Sequence, residues 1–344
     1  MKRSAITLLV FLAIGSTSVE TRQTGSTFPA RLERYLASSV KLTALERQKL
    51  FRGDAITRLL DADENKEVAI LGAVWINAPM RRYIEAVTDI ESFEKGAGFK
   101  VTKKISNPPK IEDFRALRVP DEDLQDLRRC QVGSCEVKVA ESALKRFHSE
   151  VNWNAPNASA AAMAWLQQLA FEYTTSYVKG GDGELAVYRD SGRPTFVAQE
   201  FRDMVTAMPE LSTHMPNTRR YLLDFPKVSM PEFQSFLYWQ ETEFGLKPVI
   251  RINHVVIRET AEDAVIASKM LYASHYFWTG IELRALVPDA SRGNGFWFVT
   301  VNRSRSDGLS GFTGRLIRGR VRNEVEKGVL TAVQSTKQLL ERAR

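Results

Sequence analysis

The chain closes on "GRLIRGRVRNEVEKGVLTAVQSTKQLLERAR", Gly314 to Arg344, and the reading of this stretch decides the fold. Val325, Val329, Val333, Thr336 and Leu340 recur at three- and four-residue steps, with Ala332 and Leu339 at the edges of the stripe. That spacing lines one face of a long helix, which needs a surface to lie on. Stepping the stripe backwards reaches Arg322 and Arg318 rather than further apolar residues. If the helix extends that far, both guanidinium groups point inward and require carboxylate or phosphate partners, because an unpaired buried charge is costly.

The surface is written just upstream. From Arg219, "RRYLLDFP", "SFLYWQETEF", "KPVIRINHVVIRE", "AVIASKMLYASHYFWTGIELRALVP" and "GFWFVTVNRSRSD" are rich in β-branched and aromatic residues and separated by turn residues. They predict a run of antiparallel strands. "INHVVI" is apolar at both parities, which predicts a strand covered on both faces. Earlier in the chain, "AITRLLD" and "EVAILGAVWINAP" read as strands joined by the polar turn "ADENK". "PMRRYIEAVTDIESFEK" then carries Tyr83, Val87, Ile90 and Phe93 at helical spacing, with Pro79 suited to the first turn. "LTALERQKLFRGD" predicts a short helix stopped at Gly53.

Between these parts, "GFKVTKKISNPPKIEDF" reads as a strand and a proline-bounded loop, and "ELAVYRD" as a strand. The rest of residues 95–218 is helical in character: "PDEDLQDLRRC" with Asp121 as N-cap, "AESALKRF", the alanine-rich "NASAAAMAWLQQLAFEYTTSYV", and "FVAQEFRDMVTAM". The expected fold is α+β: a curved antiparallel sheet, a long C-terminal helix and a mostly helical insertion. The expected division is a signal peptide over 1–18, an N-terminal helical segment over 19–53, one domain from 54–94 and 219–344, and the insertion over 95–218.

The chain opens "MKRSAITLLVFLAIGSTSVETRQ". A basic start, an apolar run from Ala5 to Ile14 and small residues suited to cleavage after Gly15 or Ser18 are the anatomy of a secretory signal peptide. An exported, periplasmic or extracellular protein is expected. In such an oxidising compartment the only two cysteines, Cys130 and Cys135, tend to pair. Their spacing permits the bond, and closing so short a loop constrains the unfolded chain by roughly 2 kcal/mol. A redox pair needs C-x-x-C and a zinc site needs further ligands nearby, so neither reading is supported.

The 344 residues carry 48 Lys and Arg against 41 Asp and Glu, a net charge of +7. The surplus lies wholly between Arg292 and Arg344, and the remainder of the chain is neutral. In an exported protein this points to anionic lipid, phosphate or an envelope polymer rather than nucleic acid.

Strand, helix, further helices, an antiparallel run and one long closing helix: this order resembles the START/SRPBCC helix-grip superfamily. "EVAILGAVWINAPMRRYIEAVTDIESF" is similar to its first strand and following helix, and "VEKGVLTAVQSTKQLLE" to its gripping helix. The resemblance implies an apolar cavity between sheet and helix, used by members for lipids, sterols or polyketides and by some for cyclisation or hydrolysis. "NPPKIEDFRALRVPDEDLQDLRRCQVGSCEVKV", "YASHYFWTGIEL" and "VNRSRSDGLSGFTG" also resemble a family of exported bacterial proteins of unknown function.

Three groups of residues are candidates for chemistry. If "YASHYFWTG" is one unbroken strand, alternation places Tyr272, Tyr276 and Trp278 on one face as an aromatic wall, with His275 and Phe277 on the other. Of the four histidines, His148, His214, His254 and His275, the alternation around Ile252 and Val256 turns His254 inward, within reach of His275. With Tyr272 and either Glu259 or Glu282 they form the candidate acid/base set of a cavity enzyme, although no hydrolase or metal motif accompanies them. Lastly, Gly308, Gly311 and Gly314 recur before the long helix among arginines, a pattern suited to anions but without P-loop spacing.

The leading expectation is a binding protein that holds a lipid-like molecule between the sheet and Val325–Leu340. Arg303, Arg305, Arg318 and Arg322 would meet its anionic group or a membrane surface, and Tyr272, Tyr276 and Trp278 would wall the cavity. It calls for no cofactor and no metal. The alternatives are the cavity enzyme and an envelope scaffold with a filled core.

Overall fold

The computed structural model describes residues 28–96, 98–244, 247–309 and 311–342. The expected signal peptide, residues 1–18, lies outside the described residues. The described chain begins with α1 (Ala30–Tyr35), a π-turn (Leu36–Val40) and α2 (Ala44–Phe51). Strands β1 (Ile56–Leu59) and β2 (Glu67–Ile76) are followed by α3 (Met80–Thr88), α4 (Ile90–Phe93) and β3 (Phe99–Ile105). Next come α5 (Asp121–Arg129), α6 (Glu141–Glu150), α7 (Ala158–Gly180), the short pair β4 (Val187–Tyr188) and β5 (Thr195–Phe196), α8 (Val197–Ala207) and α9 (Pro216–Asp224). The chain continues through β6 (Phe233–Phe244), β7 (Lys247–Glu259), β8 (Ala264–Ala273), β9 (Phe277–Pro288) and β10 (Phe296–Ser306) into α10 (Gly311–Arg342).

Eight strands form one antiparallel sheet in the order β1-β2-β10-β9-β8-β7-β6-β3. The sheet is open and curved, and α10 lies along one side of it in the helix-grip-like arrangement expected from the sequence. Its first strand by that expectation, β2, pairs with its last, β10, so the ends of the chain segment close on each other.

Both faces of the sheet are covered. The inner face packs Ile70, Val74, Val255, Ile266 and Phe298 against Tyr83, Ile84 and Val87 of α3, Ile90 of α4 and Val329, Val333 and Leu340 of α10. The outer face carries Leu71, Trp75, Leu283 and Trp297 beneath α1, α2 and α8. It continues as Leu237, Trp239, Ile252 and Leu271 beneath α7. The helices between β3 and β6 therefore sit on the outer face, away from α10. Residues buried at both parities explain why β2 reads as an unbroken apolar run.

Local signals explain the element ends. Thr43 and Glu46 form a reciprocal capping box at α2, and Gly53 follows it with φ of +91°, a conformation that favours glycine. Cys130 and Cys135 are joined by a disulfide with Cα atoms 4.8 Å apart, and Gly133 inside the loop has φ of +90°.

Three local expectations are corrected. "RRYLLDFP" is helix α9, because Pro216 opens it and Thr218, Tyr221 and Leu222 bury one helical face. "YASHYFWTG" is not one strand: β8 ends at Ala273, and Ser274–Tyr276 turn the chain into β9. Tyr276 sits at φ +62°, and the Phe277 amide donates to the His275 carbonyl at 2.7 Å. Asp121 is the first residue of α5 rather than its cap, a place taken by Pro120.

Gly72 sets how closely helix and sheet approach. A Cβ there would lie 2.8 Å from methyl groups of both Val329 and Val333, and 3.1 Å from Thr300. Gly72→Val is expected to push α10 off β2 and destabilise the fold by about 1–3 kcal/mol. Urea unfolding checks this, and an unchanged midpoint would mean that α10 does not seat on Gly72.

Candidate functional site

The arginines expected to meet an anion are engaged inside the protein. Arg303 Nη1 lies 2.7 Å and Arg305 Nε 2.9 Å from the buried Glu67 carboxylate, and Arg305 also reaches Glu200 at 2.8 Å. Their odd-numbered positions on β10 place them on the outer face with Val299 and Val301. Arg318 and Arg322 do lie on the sheet-facing side of α10, and they pair with Glu64 at 3.7 and 2.9 Å. Arg318 also donates to the Leu309 carbonyl and to Asn65.

The acid/base candidates are not brought together. His254 is fully buried on the outer face, where its Nδ1 is 2.9 Å from the Tyr177 hydroxyl of α7. Burial, helped by nearby Lys269, pushes its pKa down to about 3, so the ring is a weak base at neutral pH. His275 lies in the turn after β8, its Nε2 2.8 Å from Asp123 of α5 and its Nδ1 3.0 Å from the Glu136 carbonyl. Tyr272 donates to the Lys138 carbonyl at 3.0 Å, and burial raises its pKa. A β-bulge at Leu271 shifts the register with β7, so Leu271 and Tyr272 both join the outer-face core, against simple alternation. Tyr276 accepts from the Lys247 amide at 2.8 Å, and Trp278 is half-buried on β9. Glu259 pairs with Arg81, and Glu282 with Arg284.

A different constellation occupies the inner face. Along β6 to β9 the positions that face α3 and α4 turn from apolar to polar: Tyr238 and Gln240, Arg251 and Asn253, Ser268, then Glu282 and Arg284. Cross-strand register sets Tyr238 opposite Asn253, Gln240 opposite Arg251, and Ser268 opposite Glu282. Glu94, one residue past α4, comes down onto this row. The Tyr238 hydroxyl donates to Glu94 Oε1 at 3.3 Å. Gln240 lies between Glu94 and Arg251, and the amide orientation that satisfies both has its nitrogen donating to Glu94 and its oxygen accepting from Arg251 Nε at 3.0 Å.

Charge in this row is tightly held. Burial lifts the Glu94 carboxyl to about 7, against the opposing pull of Arg251 and Arg284. Burial works against the Arg284 charge, yet the Glu282 carboxylate 2.5 Å away holds its pKa above the usual arginine value. Asn253 is 3% exposed, and its side-chain nitrogen has no acceptor among the described residues. Arg251, Glu282 and Asn302 are only half-buried, which marks where the row meets solvent.

A donor without an acceptor, beside a carboxyl that gains its proton near neutrality and two fixed guanidinium groups, can orient a polar head that offers an oxygen. The sequence held one clue to this row: polar residues at alternate positions within otherwise apolar strands. In "INHVVI" His254 is the only titratable side chain. Its neighbour Asn253 faces the other side, and strand parity alone does not say which side is inner.

Among the described residues, no three His, Cys, Asp or Glu gather as a metal-holding group, and no helix is long and apolar enough to cross a membrane. Comparison of the chain with protein-family models, curated proteins and solved structures gives no match.

Proposed function

We propose that this is an exported binding protein that takes a lipid-like, amphipathic molecule on the inner face of its sheet. The polar head sits on Asn253, Glu94 and Tyr238, and reaches them from the half-buried edge of the row at Arg251 and Glu282. The observation that carries this reading is the buried, unpartnered amide of Asn253 on a polar floor set into an apolar face. Leaving such a group unpaired costs about 1–3 kcal/mol, which a ligand acceptor would offset. The strand order and the closing helix support the START-like resemblance, although fold alone does not name a ligand. The disulfide is compatible with export, and the basic, apolar and small-residue order of the first eighteen residues supports it.

The head-group role differs from the one expected for Arg303, Arg305, Arg318 and Arg322, which carboxylates already neutralise. Protein purified from its native envelope should release an amphipathic compound into organic solvent, seen by mass spectrometry. Fatty acids and lysophospholipids should raise its melting temperature. Asn253→Leu is expected to fold normally, because it replaces an unpaired polar group by an apolar one of similar size. It should weaken binding by about tenfold, the worth of one buried hydrogen bond. An empty extract together with no melting shift across the panel would sink the reading; unchanged affinity in Asn253→Leu would move the head group elsewhere.

A further inference from the structure

The surplus of positive charge in the last part of the chain is only partly used by the fold. Arg303, Arg305, Arg318 and Arg322 meet carboxylates. Arg315 and Arg320 are exposed, and neither has a carboxylate partner among the described residues. Between them stand Leu316 and Ile317, 69% and 38% exposed; Leu316 is the most exposed large apolar residue described.

Three of these residues share one arc of the helix, and Arg315, although exposed, lies on the flank nearer Arg322. At about 100° per residue, Leu316, Ile317 and Arg320 fall on an arc opposite the Arg318–Arg322–Val329 side that meets the sheet. The outward side of this helical end thus carries two apolar residues and the cation Arg320, with Arg315 exposed on one flank, while its inward side is anchored by Glu64, Asn65 and the Leu309 carbonyl. An anionic bilayer surface matches both features. Guanidinium groups pair with lipid phosphates, and short apolar side chains enter the boundary between head groups and acyl chains. A water-facing role explains the arginines and leaves Leu316 unexplained.

We propose that the N-terminal part of α10, through Arg315, Leu316, Ile317 and Arg320, docks this protein on an anionic phospholipid surface. The proposal does not depend on the inner-face ligand, since the two sites share no residue.

The test is co-sedimentation of the full chain with vesicles of phosphatidylcholine alone or mixed with phosphatidylglycerol, at low and high salt. Binding is expected only to the mixed vesicles and should weaken as salt rises. Arg315→Glu/Arg320→Glu should reduce the bound fraction by at least about tenfold. Lys179→Glu/Lys227→Glu makes the same change of net charge at exposed positions elsewhere and should keep binding within about twofold. Leu316→Ser/Ile317→Ser should bind more weakly than the parent at every salt concentration. All these substitutions are at the surface, and unchanged melting temperatures would confirm intact folds. Equal losses in the two charge-reversed variants would reduce the effect to net charge and overturn the proposal. Absence of binding to the anionic vesicles would do the same. So would a dimer in sedimentation velocity that Leu316→Ser/Ile317→Ser dissociates, since a second copy would then cover the patch.

Discussion

Removing the Glu67 carboxylate is expected to destabilise the fold by about 3–5 kcal/mol, the usual cost of breaking a buried ion pair from one side. Glu67 opens β2 directly across from Arg305, and its side chain, like those of Arg303 and Arg305, is almost wholly shielded from water. In Glu67→Ala, Arg305 keeps Glu200 at 2.8 Å. Arg303 keeps only the Asp61 carbonyl at 3.2 Å, and its Nε already lacks a partner. The loss comes from stranding a charge rather than from losing a contact. Glu67→Met/Arg303→Met should therefore be more stable than Glu67→Met alone, because the orphaned guanidinium is gone. Chemical denaturation of the set would decide it. A Glu67→Ala protein within about 1 kcal/mol of the parent would mean that water reaches the pair.

Glu94 gives the second large effect, and its sign runs opposite to that of a paired surface carboxylate. Its carboxyl titrates near 7 in the fold, against an ordinary value of 4.5. Between those values the native state holds a proton that the unfolded chain has lost, so stability declines as pH rises. The contribution is fully present below about 4.5 and is lost as pH passes through 7. By the size of the shift it is at most about 3 kcal/mol. Glu94→Gln imitates the protonated form. It should match the parent near pH 4.5 and exceed it by up to about 3 kcal/mol at pH 8.5. The difference between two urea profiles isolates this group, since every other titration is common to both proteins. Parallel profiles would place Glu94 in contact with solvent. The groups that face it, Arg251, Arg284, Glu282 and Tyr238, all belong to the proposed head-group row, so a bound ligand should shift this pH dependence as well.

The two predictions concern opposite faces of one sheet, and that division was hard to read in advance. Strand and helix identities followed from period: Val329, Val333 and Leu340 are the buried stripe of α10, and β6, β7 and β10 are strands where alternating and continuous apolar runs predict them. The disulfide followed from the spacing of two cysteines and an expected oxidising compartment. "RRYLLDFP" carries aromatic and apolar residues at a spacing that suits either element, so α9 reads locally as a strand. Pro216, a helix opener just before the quoted stretch, is the local signal for helix.

Period, spacing and composition are local quantities, so the sequence by itself determined the element types, their order and the layered α+β class. Which partner each charge would meet is a long-range matter. Glu67 and Arg303 lie 236 positions apart, and Asp123 and His275 lie 152 apart. Nothing near a residue announces such contacts. The side of the sheet on which a residue falls is equally non-local, because one bulge at Leu271 reverses the parity of everything beyond it. Only the tertiary structure decided that His254 belongs to the outer core while Asn253, one residue away, faces the inner row with a donor left unpaired.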